Sequence, residues 1–352
     1  MANKIKLQEC YPYTYVRVIT MKSKLLGRDD YNKLLKMGFN EIAKYLQDSE
    51  YKREINELAI ELSGADLLEA ALDKNLIASY NKLWRISPDE LDLLINAYVK
   101  RYDYFNIKTI IRGKFAKLSE EEIKKVLKPV GMFSSKFIDK IIDEDSVEKI
   151  IEKSKLLNKK VAQKLIKDFK ENQSLLMIEN VLDKAYFDFV FEFSETIPKQ
   201  GHLFKEFLLN EIDILNIKQL LRLKKDGMKN SDIEEHICMV GKELKKENVS
   251  KMIKQEYKDV IKTLLSTKFK PIIKKHFKTL ESKESLVNFE NALDKYLLKK
   301  SLSLLHQNPL SIDIILGYMF AKEIEVKNIK TLVKAKQLGM DEEFISQQLI
   351  VN

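Results

Sequence analysis

The sequence predicts an all-α protein built from three similar helical domains, and three observations carry that reading. A sparse pattern recurs three times at steps of 110 and 111 residues. Apolar residues follow helical spacing, as in Tyr31, Leu34, Leu35, Ile42 and Leu46, and again in Ile150, Ile151, Val161, Leu165 and Phe169. Glycine is scarce, at 10 of 352 residues, while charged residues make up 33% of the chain and supply solvated helix faces.

The repeat begins with Glu69-Ala-Ala-Leu72-Asp73-Lys74. It returns as Glu179-Asn-Val-Leu182-Asp183-Lys184 and as Glu290-Asn-Ala-Leu293-Asp294-Lys295. A period of this length exceeds a solenoid unit and matches a small domain. The chain therefore divides into residues 1–116, 117–228 and 229–352. No Pro-, Gly- or Ser-rich linker separates the copies, so they abut through continuous or barely broken helices. Tandem modules of this kind suit a pseudo-symmetric arrangement, closed or open.

Two segments alternate like strands: Tyr11, Tyr13 and Tyr15, then Phe187, Phe189, Phe191 and Phe193. The stretches equivalent to the second, residues 78–83 and 299–304, lack the alternation, so it reads as a buried, Phe-rich helix. The first has no equivalent and reads as a strand candidate.

Fifteen residues after each repeated Asp stands a proline: Pro88, Pro198 and Pro309, half of the 6 in the chain. Proline fits the first turn of a helix, where its missing N–H has no partner to lose and its φ is preset. Ser87 and Asn308 precede two of them as N-caps, and Asp89 and Glu90 suit the helix dipole. Each proline is thus expected to start the helix leading to the next element.

That element is the most detailed signature. It runs Arg101-x-Asp103-x-x-Asn106-Ile107-Lys108-x-x-x-Arg112, then Glu211-x-Asp213-x-x-Asn216-Ile217-Lys218-x-x-x-Arg222, then Glu323-x-Glu325-x-x-Asn328-Ile329-Lys330-x-x-x-Lys334. An acid three residues before Asn suits a helix start, the acid capping free N–H groups. Catalysis or metal binding by Asp103, Asp213 and Glu325 would need one such site, whereas three modules need three equal junctions. The structural role is preferred.

The longest apolar run, 314–321, is far shorter than the ~20 residues of a membrane span. The N-terminus has no signal-like apolar region. Cys10 and Cys238 are too few for a disulfide framework, which points to a reducing, cytoplasmic setting. The four histidines (His202, His236, His276, His306) have no metal-ligand spacing, and no phosphate loop or nucleophile elbow is present. No catalytic, cofactor-binding or metal site is expected, and no cofactor.

Net charge is +9 and pI about 9.0. The excess is mostly Lys interspersed with acids, except over 260–280, which holds Lys262, Lys268, Lys270, Lys274, Lys275 and Lys278 without an acid. Lys268, Lys270, Lys274 and Lys275 are the candidate contact to phospholipid headgroups or an acidic partner. A helical adaptor and a basic helical nucleic-acid binder are the competing classes. Binding steeply dependent on salt would mark the second.

Together with the run Tyr15-x-Arg17-x-x-x-Met21-x-x-x-Leu25-Leu26-x-x-x-x-Tyr31-x-x-Leu34-Leu35, these signatures resemble the C subunit of archaeal A-type and bacterial V-type rotary ATPases, the counterpart of the d subunit of eukaryotic V-ATPases. The resemblance spans nearly the whole chain. Departures fall in the third copy, with Glu325 for Asp, Lys334 for Arg and one residue inserted before Asn328. The resemblance implies three helical domains around a pseudo-threefold axis in a funnel-shaped body. It further implies a non-catalytic part at the cytoplasmic face of the membrane. That part would seat the D and F stalk proteins on the membrane rotor ring, couple ion flow to ATP synthesis, and bind no specific nucleic acid.

Overall fold

The computed structural model describes residues 11–198, 201–282, 285–307 and 310–351, with the backbone alone for 235 and 304–307. Among them every regular element is a helix. Six long helices form the frame: α5 (Gly64–Ile86), α6 (Asp89–Phe115), α11 (Leu175–Thr196), α12 (His202–Lys225), α18 (Val287–Gln307) and α19 (Asp313–Gln337). Before α5 come α1 (Pro12–Lys22), α2 (Arg28–Lys36), α3 (Phe39–Gln47) and α4 (Lys52–Leu58). Between α6 and α11 lie α7 (Glu120–Val126), α8 (Ser135–Ile142), α9 (Val147–Ser154) and α10 (Lys159–Asn172). Between α12 and α18 lie α13 (Asn230–His236), α14 (Lys246–Lys254), α15 (Tyr257–Leu264), α16 (Lys270–Lys275) and α17 (Phe277–Glu281). Helix α20 (Glu342–Gln348) follows α19.

Several helices begin at side-chain caps. Ser134, Ser146, Asn158, Ser174 and Asp341 each accept the N–H three residues on. Ser119 and Glu122 form a reciprocal capping box. Each long helix packs not only within its own hairpin but against the next copy: α6 on α11, α12 on α18, and α19 on α5. The third pairing joins the two ends of the sequence. Short helices bridge each pair, and for α19 and α5 the bridge is assembled from α20 together with α2, α3 and α4.

Three local expectations are corrected. Tyr11, Tyr13 and Tyr15 do not form a strand: Tyr13 and Tyr15 lie in α1, whose Thr14 hydroxyl donates to the Ile86 carbonyl at 2.8 Å. Neither Pro88 nor Pro198 occupies a first helical turn. Pro88 is the residue before α6, and Pro198 stands farther out, its carbonyl accepting the N–H of Gly201 at 2.9 Å. The first turn of α6 instead carries Asp89, Glu90 and Asp92, which the dipole favours. Pro309, Asn308 and Cys10 lie outside the described residues, as does the His306 side chain. The third correction concerns the acid-Asn element: Asp103 and Asn106, Asp213 and Asn216, Glu325 and Asn328 sit in the middle of α6, α12 and α19, not at helix starts. The Phe-rich segment is helical within α11, and its four phenylalanines are partly rather than fully buried.

Candidate functional site

The mid-helix position of the signature has a physical use, because its side chains reach out to backbone elsewhere. Asn106 donates through Nδ2 to the Lys128 carbonyl and accepts the Lys128 N–H through Oδ1, both at 2.8 Å. Asn216 grips Cys238 in the same way at 2.9 and 3.1 Å, and Asn328 grips Ile350 at 2.8 Å twice. The partner is always 22 residues on. A carboxamide matches a peptide group edge to edge, so each clip satisfies one buried donor and one buried acceptor.

The acids complete the clips. Asp103 accepts the N–H groups of Met132 and Phe133, each at 3.0 Å, and Asp213 those of Glu243 and Leu244 at 2.8 and 3.0 Å. Burial pushes both carboxyls up from the ordinary Asp range, and the backbone donors pull them back. Each carboxylate lies against a glycine: a Cβ on Gly131 would sit 2.0 Å from Asp103 Oδ1, and one on Gly241 2.2 Å from Asp213 Oδ1. Only glycine admits that approach. In the third copy Glu325 accepts instead from the N-terminal segment, namely Leu26 N–H at 2.5 Å and the Tyr51 hydroxyl at 2.6 Å, with Lys322 Nζ at 2.7 Å. The extra methylene of Glu spans to a turn supplied by the other end of the chain.

The remaining signature residues join the copies to each other. Lys108 of Asn-Ile-Lys pairs with Asp183, Lys218 with Asp294, and Lys330 with Asp73. One turn further, Arg112 pairs with Glu179, Arg222 with Glu290, and Lys334 with Glu69. Each pair runs from one copy to the next, and the third returns to the first. The joints close a circuit.

Where α6, α12 and α19 converge, equivalent positions of the three copies meet. Arg101 makes a two-pronged pair with Glu211, at 2.8 and 3.0 Å, and lies 3.6 Å from Glu323. Glu323 also accepts the hydroxyls of Tyr98 and Tyr102, at 2.6 and 2.8 Å. Burial acts against the Arg101 charge, but Glu211 and its other neighbours outweigh it and hold the guanidinium protonated. Phe207 and Phe320 pack edge to face beside the cluster, linking α12 to α19. The cluster floors a cavity of about 380 Å³ whose wall also carries Lys128, Lys218, Lys327 and Lys330. Burial depresses the ammonium pKa of Lys128 and Lys218.

Of the candidate surface lysines, Lys268 is corrected. It turns inward to Asn210 and to Asp213 at 3.2 Å, where it supports a clip rather than facing a partner. Lys270, Lys274 and Lys275 are exposed on α16. Pro88 and Pro198 take part in none of these joints. Sequence reasoning passed over Arg101, Glu211 and Glu323 as a group, although the reversal of charge at one repeat position was visible. It also passed over Gly131 and Gly241, which follow their Asp at equal spacing.

Among the described residues, no group of three or more His, Cys, Asp or Glu could hold a metal ion. No helix among them is long and apolar enough to cross a membrane. The fold and its joints define a helical-repeat scaffold, in which equivalent polar residues of successive copies tie the body together.

Residues 14–348 match the family described as the ATP synthase (C/AC39) subunit. A relative from Methanosarcina barkeri, named as the C subunit of an A-type ATP synthase, is 36% identical over 97% of this chain and 93% of its own length. Its namesake in Methanosarcina acetivorans is also 36% identical, with the same coverage, and that of Halobacterium salinarum is 30% identical over 97% of both chains. The chain belongs to the ATP synthase (C/AC39) subunit family.

Proposed function

We propose that this chain is the non-catalytic part that seats the central stalk of an A/V-type ATP synthase on its membrane rotor ring and transmits torque between them. The observation that carries this reading is the closed circuit of inter-copy joints around the Arg101 cluster. A part that passes torque must resist shear in every direction, and a circuit lacks the open edge at which an arc would hinge. Close-packed helices add stiffness. The three modules, 1–116, 117–228 and 229–352, would surround a pseudo-threefold axis in a funnel-shaped body.

The axial cavity supports a seat for the stalk pair D–F. Five cationic side chains (Arg101, Lys128, Lys218, Lys327, Lys330) face three acids (Glu211, Asp294, Glu323) there. At about 380 Å³ it admits side chains from a stalk tip rather than a whole helix, whose diameter is ~10 Å. The exposed lysines of α16 remain the candidate contact with headgroups or with an acidic partner. The body would ride on the cytoplasmic face of the membrane as a peripheral protein, with no cofactor, no turnover of its own and no specific nucleic acid.

The test is binding of the purified chain to the D–F pair and to isolated ring, with ATP hydrolysis measured in parallel. Lys327→Gln, at a half-exposed side chain, should weaken stalk binding while leaving the helical signal intact. A chain that binds neither stalk nor ring would remove the rotor reading. Hydrolysis that survives purification and is lost on point mutation would remove the non-catalytic one.

A further inference from the structure

Away from the axial cavity, the packing of the chain's two ends creates a second charged feature. Helix α20 packs on both α2 and α18, and α16 packs on α18. At this meeting lies a polar cavity of about 260 Å³ whose wall includes Arg28 and Asn32 from α2, Lys295 from α18 and Ser346 beside them from α20. Burial first, then the charges of Lys275 on α16 and of Arg28, depress the pKa of Lys295, and no acid offsets them. Among the described residues neither Arg28 nor Lys295 forms an ion pair.

That pattern differs from the joints between the copies. The lysines and arginines of the repeat signature are all matched to carboxylates. Two neighbouring acids are engaged elsewhere: Asp30 binds the Gly27 N–H and the Tyr45 hydroxyl, and Asp294 binds Lys218 and Lys327. Two cations from two helices, Arg28 and Lys295, therefore share a hollow with a hydroxyl and a carboxamide. Like charges held together repel unless a counter-charge sits between them.

We propose that Arg28 and Lys295, with Asn32 and Ser346, form a binding site for a phosphate group. A tetrahedral dianion offers several acceptor oxygens to donors arriving from different directions. The Arg fork suits two of those oxygens, and the Lys295 ammonium acts as a point charge. The site draws on α2 near one end of the sequence and on α18 and α20 near the other, so its occupant would also fasten the seam between them. A free phosphate and the phosphodiester of a lipid headgroup share this chemistry. The site stands apart from the rotor reading, since its ligand is bound by the isolated chain.

The test uses the full chain, melted in sodium phosphate and in sodium chloride of equal ionic strength at one pH. Phosphate at ten times its Kd should raise the melting temperature by about 2 °C over chloride. Arg28→Gln, Lys295→Gln and their double variant should lose that rise, while Lys140→Gln on α8 keeps it. In chloride alone the double variant should melt no lower than the parent, because it loses repulsion and no ion pair. In a second arm, vesicles of phosphatidylglycerol in phosphatidylcholine are tested for co-sedimentation. Retention lost in the double variant identifies the headgroup as the source; a phosphate response without retention identifies the free anion. The proposal is overturned if both arms are blank, if the variants keep the parent's responses, or if the double variant melts well below the parent in chloride.

Discussion

Arg101 and Glu211 hold the same position in successive copies of the repeat, carry opposite charge, and meet in a two-pronged ion pair between α6 and α12. Their third equivalent, Glu323, completes the cluster. Three identical residues at this convergence would place like charges side by side. Divergence of the copies is what lets the three long helices meet around polar side chains at all.

Arg101→Met should therefore be severe, leaving Glu211 and Glu323 facing each other in a largely buried site. The expected loss is about 3–5 kcal/mol in urea unfolding. Combining it with Glu211→Leu and Glu323→Leu should recover much of the loss, because the uncompensated charges go as well. A single variant within about 1 kcal/mol of the parent would show that the cluster is not a joint.

The asparagine clips make a sharper structural prediction. Asn216→Ala strips partners from both the N–H and the carbonyl of Cys238 and should cost about 2–3 kcal/mol. Asn216→Asp keeps the acceptor and removes the donor, so it should retain helix content while still losing stability. Equal stability of Asn216→Ala and the parent in urea would refute the clip.

Closure of the circuit can be measured as a coupling energy. Lys330 and Asp73 are partly buried, 2.5 Å apart, and join the two ends of the sequence. A double-mutant cycle with alanine should give about 1 kcal/mol, falling in high salt. The more exposed Lys334–Glu69 pair should give less, in the range of roughly 0–1 kcal/mol usual for surface pairs. A coupling of zero for Lys330 and Asp73 would mean that helix packing alone closes the body.

One histidine carries a pH signature. Burial, and then the charge of Lys275, lower the pKa of His276 beneath its ordinary value near 6.5. The folded chain thus binds fewer protons at this site than the unfolded chain. The stability this group contributes is present above the unfolded pKa and is lost as pH falls through the depressed folded value. His276→Gln should flatten the change in unfolding free energy between pH 7 and pH 5.5. A slope identical to the parent's would exclude His276 from the acid response.

Much of the architecture was legible in the sequence. The helical period, the threefold recurrence of Asp73, Asp183 and Asp294, and the scarcity of glycine lead to an all-α repeat. All three are local or periodic properties that each segment displays by itself. The structural use of Asn106, Asn216 and Asn328 could be inferred from their number alone.

What those residues grip was decided by tertiary structure. An acid before a helix and an acid in the middle of one look alike in sequence, because the distinction lies in whether distant backbone N–H groups arrive to be bound. For Asp103 and Asp213 they arrive on the turns of Gly131 and Gly241; for Glu325 they come from Leu26, at the opposite end of the chain. The same holds for Lys268, whose acid-free surroundings in sequence conceal an acid in space, Asp213. Ion pairs and clips depend on separations of a few ångströms between residues far apart in order, and only packing of the long helices sets those separations.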